Sequence, residues 1–211
     1  MKDKKKQIIQ WTFPYWGPFL FKTQLTQQEV KHLLKNAINK EDHSKNLAGH
    51  IKKEFVYPEE ILQKTLNRYF RAYLDAASRY YNQADINNSS IGIKGKAWIN
   101  YMEAGEFNPP HFHTGGDLSF VIYLQIPKAL EKEHKAYKGT SCGPGGVVFI
   151  NEPHRPFSVT STSYFPKVGD LFIFPSNLHH WVYPFKSKGE RISISANTIW
   201  KRHYDKNQVL N

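Results

Sequence analysis

Apolar residues change their spacing part-way along this 211-residue chain, from helical intervals to the period of two typical of strands. In the first ninety residues the intervals are helical. Thr26-Gln27-Gln28-Glu29 has the pattern of a capping box, in which a hydroxyl and a carboxylate three residues apart each accept the other's free backbone N–H. Val30, Leu33, Leu34, Ala37 and Ile38 then share one face, which predicts a helix up to about Asn39. A second helix has Pro58 in its first turn. It runs through Ile61, Leu62, Thr65, Leu66, Tyr69, Phe70, Tyr73, Leu74 and Ala77 to about Gln83. Its apolar stripe is broad and requires a partner surface. Residues 42–53 and 87–90 read as loops.

From Lys96 onward short runs rich in β-branched and aromatic residues alternate with Gly, Pro and Asn. The predicted strands are 97–103, 118–126, 146–150, 157–160, 170–174, 179–183 and 191–200. Short strands after a helical prefix predict a mainly β fold. The expected architecture is a double-stranded β-helix, the jelly-roll or cupin-like barrel, buttressed by N-terminal helices. The expected layout is a helical support region at 1–92, the barrel core at 93–202 and a tail at 203–211, together forming one structural domain. In the last strand Arg191, Ser193, Ser195 and Asn197 share one face, while Ile192, Ile194 and Ala196 share the other. A polar row inside a barrel needs an internal partner, because a buried guanidinium without a counter-charge is costly.

Composition adds bounds. With 40% apolar and 15% aromatic residues the chain can bury an ordinary core. Its single cysteine excludes an internal disulfide and suits a reducing compartment. No apolar run is long enough to cross a bilayer, and the lysine-rich start lacks the apolar stretch of a signal peptide. The expectation is a cytoplasmic protein with no membrane partner. Lys plus Arg number 29 against 18 Asp plus Glu, for a formal charge of +11. Such an excess suits nucleic acid, acidic proteins or small anions, and selects none. The lysines are scattered rather than set in a stripe interleaved with aromatics, so nucleic acid is admitted as a partner without being favoured.

The chemistry lies in three segments at strand edges: His111-Phe112-His113, then Leu178-His179-His180-Trp181-Val182-Tyr183-Pro184, then Arg191-Ile192-Ser193. Imidazoles suit a first-row metal, and two ligands one residue apart plus a distant third can cap one face of it. Arg191 offers a permanent cation whose fork matches a carboxylate. Together these point to a metal enzyme that uses a small dicarboxylate. His179 faces away from His180 on its strand. Tyr123 faces away from Leu118, Phe120, Ile122 and Leu124, toward the expected pocket. Tyr101 reads equally as a core aromatic or a pocket residue.

Over residues 96–200 these segments resemble the Fe(II)- and 2-oxoglutarate-dependent dioxygenases, in particular the prolyl-hydroxylase-like branch. The matching parts are Tyr101 ahead of His111, Ile122-Tyr123-Leu124, Gly145-Gly146-Val147-Val148-Phe149, Gly169-Asp170-Leu171-Phe172-Ile173-Phe174-Pro175 and His180-Trp181-Val182-Tyr183-Pro184. The resemblance implies His111 and His180 as iron ligands. It also implies Arg191 on the far carboxylate of 2-oxoglutarate, helped by Tyr123, Tyr101 and Ser193. The implied reaction is oxidative decarboxylation of 2-oxoglutarate to succinate, coupled to C–H hydroxylation of a substrate. A peptidyl proline or another amino-acid side chain is the favoured substrate, with dioxygen as co-reactant and ascorbate as an accessory reductant.

One departure stands out. The family usually places Asp or Glu two residues after the first histidine, and here that residue is His113. A neutral imidazole there leaves the site one unit more positive. Asp117, in Gly115-Gly116-Asp117-Leu118, is the alternative third ligand, and a solvent molecule or an anion is another. Substrate choice is expected in loops 105–110 and 139–165. Two other classes stay open. A metal-binding cupin-like module without oxygenase activity would not need Arg191 or Tyr123. A nucleic-acid demethylase or base hydroxylase would need stacking aromatics, for which Trp181, Tyr183 and Trp200 are the candidates.

Overall fold

The first helix starts where the capping box places it. In the computed structural model, which describes residues 9–12, 17–151 and 159–203, Thr26 Oγ1 accepts the Glu29 N–H at 3.3 Å. The Glu29 carboxylate accepts the Thr26 N–H at 2.9 Å. This helix, α1 (Gln27–Lys35), stops earlier than its apolar pattern suggests. The Asn36 amide donates to the His32 carbonyl, Ile38 is exposed, and Asn39 takes a left-handed φ of 50°. The long helix α2 (Glu59–Tyr81) runs from Pro58 to a left-handed Asn82. It buries the expected stripe of Leu62, Leu66, Tyr69, Phe70, Tyr73, Leu74 and Ala77. At 23 residues α2 is the longest helix, yet among the described residues no helix is long and apolar enough to cross a membrane.

The strands are β1 (Trp11–Thr12), β2 (Phe21–Gln24), β3 (Glu54–Tyr57), β4 (Ser89–Met102), β5 (Asn108–His111), β6 (Leu118–Gln125), β7 (Val147–Ile150), β8 (Ser161–Tyr164), β9 (Asp170–Pro175), β10 (His179–Val182) and β11 (Arg191–Arg202), with a third helix, α3 (Lys128–Ala136). They form a seven-stranded sheet ordered β1-β2-β9-β6-β11-β4-β3 and a four-stranded sheet ordered β5-β10-β7-β8. Every pairing is antiparallel. This is the mainly β jelly-roll arrangement the strand pattern predicts.

Alternation along the strands divides the apolar residues between two cores. Phe120, Ile122, Leu124, Ile192, Ile194 and Ala196 pack with Leu62, Leu66 and Phe70, between the large sheet and the helices. Met102, Tyr123, Phe149, Phe172, Phe174 and Val182 fill the space between the two sheets. Burying each such side chain contributes about 1.5–3 kcal/mol, so the alternation holds the register that fixes which residues face inward.

The first ninety residues are less helical than their pattern suggests. β2 pairs with β9 and β3 pairs with β4, so both lengthen the large sheet. Each is only four residues long, too short for a period of two to stand out from its surroundings. β5 was also hidden, because Asn108-Pro109-Pro110-His111 has the composition of a turn. Pro is tolerated there because β5 is an edge strand. Of the strand expected at 157–160, residues 157 and 158 lie outside the described residues, and β8 begins only at Ser161.

Candidate metal centre

Three histidines converge where the small sheet meets the large one. β5 and β10 are neighbours, and their register sets His111 opposite His180, with ring centroids 4.3 Å apart. His113 follows β5, its N–H bonded to the Ser176 carbonyl at 2.8 Å, and its ring centroid lies 5.2 Å from each of the other two. One nitrogen from each ring falls within 4.8 Å of the others. His111 Nδ1 lies 2.7 Å from the Pro109 carbonyl and His180 Nδ1 lies 2.8 Å from the Leu178 carbonyl. A carbonyl only accepts, so Nδ1 carries the proton and the Nε2 lone pair is left free on both rings. Burial, reinforced by the neighbouring imidazoles, pushes His113 down to about 4 and His180 to about 3. Burial lowers His111 too, against the opposing pull of the Pro109 carbonyl. At neutral pH the cluster therefore presents uncharged lone pairs. That donor set fits a divalent first-row metal such as Fe(II).

The same cavity is lined by Arg191, Tyr123 and Ser193. Arg191 is 1% exposed, and its guanidinium lies 5.0 Å from the centre of the Tyr123 ring. Its Nη1 donates to the Gly145 carbonyl at a long 3.4 Å, and among the described residues its Nε has no partner. The fully buried Tyr123 hydroxyl has none either. Burial pushes Arg191 downward and Tyr123 up to about 12. Among the described residues no carboxylate pairs with Arg191. A buried cation beside two unused donors is a receptor for an anion.

Not every expected residue joins this group. Tyr101 pairs with Ile192, so it faces the helices, packs against Phe55 and donates to the Asn39 side chain at 2.9 Å. The β4 residues that line the cavity are its neighbour Asn100 and Trp98. The run Ala97-Trp98-Ile99-Asn100-Tyr101-Met102 is apolar on both faces, so alternation alone could not assign the inward one. Asp117 is also elsewhere. Its carboxylate accepts the Trp200 N–H at 2.8 Å and its own N–H donates to the Thr198 carbonyl. It serves the turn into β6 and does not join the histidines. His179 packs its ring on Phe112 and also stays outside the cluster. Glu54, Asn100 and Trp98 line the cavity without having been anticipated. An isolated acid such as Glu54, just past the stretch read as loop, gives no sign of burial in the sequence.

Residues 96–197, which carry all of the cavity residues named above except Glu54, match the family described as "Putative 2OG-Fe(II) oxygenase". Over that stretch, just under half of the chain, the sequence is similar to the 2OG-Fe(II) oxygenases. The protein is accordingly an oxidoreductase of this class, with Fe(II) as cofactor and 2-oxoglutarate as cosubstrate. Its fold is similar to that of a Pseudomonas putida prolyl-4-hydroxylase, at 15% identity and a TM-score of 0.51, covering 89% of this chain and 95% of that one. Two more distant likenesses have 15% identity each. One is a Burkholderia pseudomallei oxidoreductase of the 2OG-Fe(II) oxygenase family, with a TM-score of 0.42 and coverage of 94% and 74%. The other is SnoN, a non-haem α-ketoglutarate-dependent epimerase of nogalamycin biosynthesis, with a TM-score of 0.49 and coverage of 90% and 82%. No curated protein sequence matches the chain.

Proposed function

We propose that His111, His113 and His180 hold the iron, that Arg191 binds the far carboxylate of 2-oxoglutarate, and that the reaction hydroxylates a C–H bond of an amino-acid side chain. The observation that carries this reading is the buried, uncompensated guanidinium of Arg191 beside the unpartnered Tyr123 hydroxyl. A barrel that only bound metal would have no use for it. Convergence of the three imidazoles favours His113 over Asp117 as the third ligand, since the Asp117 carboxylate is already committed to a backbone N–H.

When bound, Fe(II) supplies the activation of dioxygen, driven by oxidative decarboxylation of 2-oxoglutarate to succinate and carbon dioxide. The chain's own groups do the positioning. The carbonyls of Pro109 and Leu178 hold His111 and His180 in the tautomer that leaves Nε2 free. Arg191 and Tyr123 orient the cosubstrate, and Ser193, held by the Asn100 amide at 3.5 Å, lies beside them. Phe149 and Phe174 pack on the His180 ring and exclude water from that side. The amino-acid substrate class is favoured by the likeness of fold to a prolyl-4-hydroxylase.

The test is succinate formation from 2-oxoglutarate by purified protein with Fe(II) under air, alongside anaerobic titration of the iron-loaded protein with 2-oxoglutarate. Turnover, even uncoupled from a substrate, together with saturable binding is the expected result. Tight iron binding with no affinity for 2-oxoglutarate would leave the metal-binding barrel as the better account.

A further inference from the structure

Among the described residues Glu54 has no counter-ion, in a chain whose formal charge is +11. It is 1% exposed, and its Oε2 accepts no hydrogen bond. It lies on β3 directly opposite Asn100 of β4, which is 4% exposed and whose Oδ1 is also unpartnered. The amide nitrogen of Asn100 is taken by Ser193 Oγ at 3.5 Å, so the oxygen is the end left over. Both residues line the cavity of the three histidines, as does Trp98. Lys53, the adjacent residue, could have neutralised Glu54. Its ammonium instead meets Glu103 at 2.6 Å and Glu190 at 2.9 Å. The nearby Glu106 accepts the Lys52 and Glu103 backbone N–H groups.

The register of the large sheet locates this pair relative to the cosubstrate. Glu54, Asn100, Ser193 and Tyr123 stand in one transverse row across β3, β4, β11 and β6. Adjacent strands are about 4.8 Å apart, so Glu54 is roughly 10 Å along the row from Ser193 and farther from Tyr123. That separation is too great for Glu54 to reach the carboxylate held at Arg191, and it suits a second ligand alongside, with Asn100 standing between the two. Two buried acceptors with no donor between them call for a ligand that brings donors. A carboxylate out of water calls for positive charge as well. Its own burial, with Glu106 and Asp42 nearby, pushes Glu54 up to about 7, so a bound cation would draw it into the ionised form.

Building on the oxygenase reading above, we propose that Glu54 and Asn100 form the substrate subsite and that it takes a side chain ending in a cationic nitrogen, an ammonium or a guanidinium. The oxidation itself would be balanced in the usual way of the class. One oxygen atom of dioxygen enters a C–H bond of that side chain, and the other enters succinate as 2-oxoglutarate loses carbon dioxide.

The probes are pentapeptides with a central lysine or arginine, the free amino acids lysine and arginine, and neutral counterparts carrying norleucine or citrulline. Binding is measured by calorimetry under nitrogen, to iron-free protein and to protein with Fe(II) and 2-oxoglutarate, for wild type, Glu54→Gln and Glu54→Asp. Melting temperatures check that the variants are folded. At least one cationic probe should bind wild type, with its neutral counterpart and the Glu54→Gln pairing each weaker by at least about tenfold. Glu54→Asp, which keeps the charge, should recover part of the loss. Stronger binding of the peptides than of the free amino acids would identify a polypeptide as the source of the cation, and the reverse a small molecule. Equal binding of cationic and neutral probes, undiminished binding of the cation by Glu54→Gln, or binding of no cationic probe would each overturn the proposal. Titration of the same samples with 2-oxoglutarate keeps the two readings apart. Cation binding without 2-oxoglutarate binding would remove the oxygenase assignment of the cavity while leaving the subsite in place.

Discussion

At the scale of single residues, Arg191 carries the largest expected effect. If its guanidinium forms a two-pronged, charge-assisted pair with the far carboxylate, truncation leaves that anion facing a drier pocket, at a cost of about 2–5 kcal/mol. Arg191→Ala should therefore weaken 2-oxoglutarate binding roughly thirtyfold or more while iron stays bound. Arg191→Lys should restore only part of it, since an ammonium lacks the planar fork. Tyr123→Phe should lose a single hydrogen bond, about 0.5–3 kcal/mol. Anaerobic titration checks the order, and equal affinity of wild type and Arg191→Ala would remove the arginine from the cosubstrate site. At the metal, His111→Ala and His180→Ala should abolish iron binding and His113→Ala should weaken it. His179→Ala and Asp117→Ala should leave it near wild type, because both of those side chains are engaged elsewhere. Iron stoichiometry by elemental analysis reads all five. Most of this site was legible because its residues come as local motifs, a histidine pair and a histidine followed by Arg191. Glu54 was not, since its role depends on a strand pairing that no local pattern announces.

At the scale of elements, which face of a strand looks inward decides function. β6 and β11 alternate cleanly between polar and apolar, so the inward facing of Tyr123, Arg191 and Ser193 could be read from the chain. β4 is apolar on both faces, because one packs on helices and the other lines the cavity, and there Asn100 faces the cavity while Tyr101, which the resemblance suggested for the cosubstrate, faces the helices. Tyr101→Phe should consequently leave 2-oxoglutarate affinity unchanged and remove only the bond to Asn39, lowering stability by about 0.5–1.5 kcal/mol. A several-fold loss of 2-oxoglutarate affinity in that variant would mean that β4 pairs in the other register. The helices act at one remove. Leu66 of α2 is fully buried against the sheet that carries Arg191, so Leu66→Ala should cost about 2–5 kcal/mol of folding stability. Denaturant unfolding measures this loss, and iron affinity in the surviving folded protein should be preserved.

At the scale of the whole molecule, buried groups with displaced pKa values make stability depend on pH, and here they act in opposite directions. His113 and His180 titrate near 6.5 when unfolded but at about 4 and about 3 when folded. Below pH 6.5 the unfolded chain takes up protons that the folded protein refuses, so their contribution is full above 6.5 and is lost as pH falls toward 4. Glu54 has the reverse sign. Its folded value is raised to about 7 from 4.5, so the folded state holds the extra proton between those limits, and that contribution is lost as pH rises through 7. Between 4.5 and 6.5 the two histidines outweigh the single acid, and each net proton is worth about 1.4 kcal/mol per pH unit. The iron-free protein should thus lose melting temperature from pH 7 to pH 5. Glu54→Gln, which removes the opposing contribution and never carries a buried charge, should be more stable than wild type at pH 8 and should lose stability more steeply on acidification. Ligated histidines cannot take up protons until the metal leaves, so iron should raise the melting temperature throughout and shift its fall to lower pH. Thermal unfolding of both proteins across pH 5–8, with and without Fe(II) under nitrogen, resolves each contribution. Parallel pH profiles for wild type and Glu54→Gln would mean that Glu54 is not the buried, counter-ion-free acid on which the cation subsite depends.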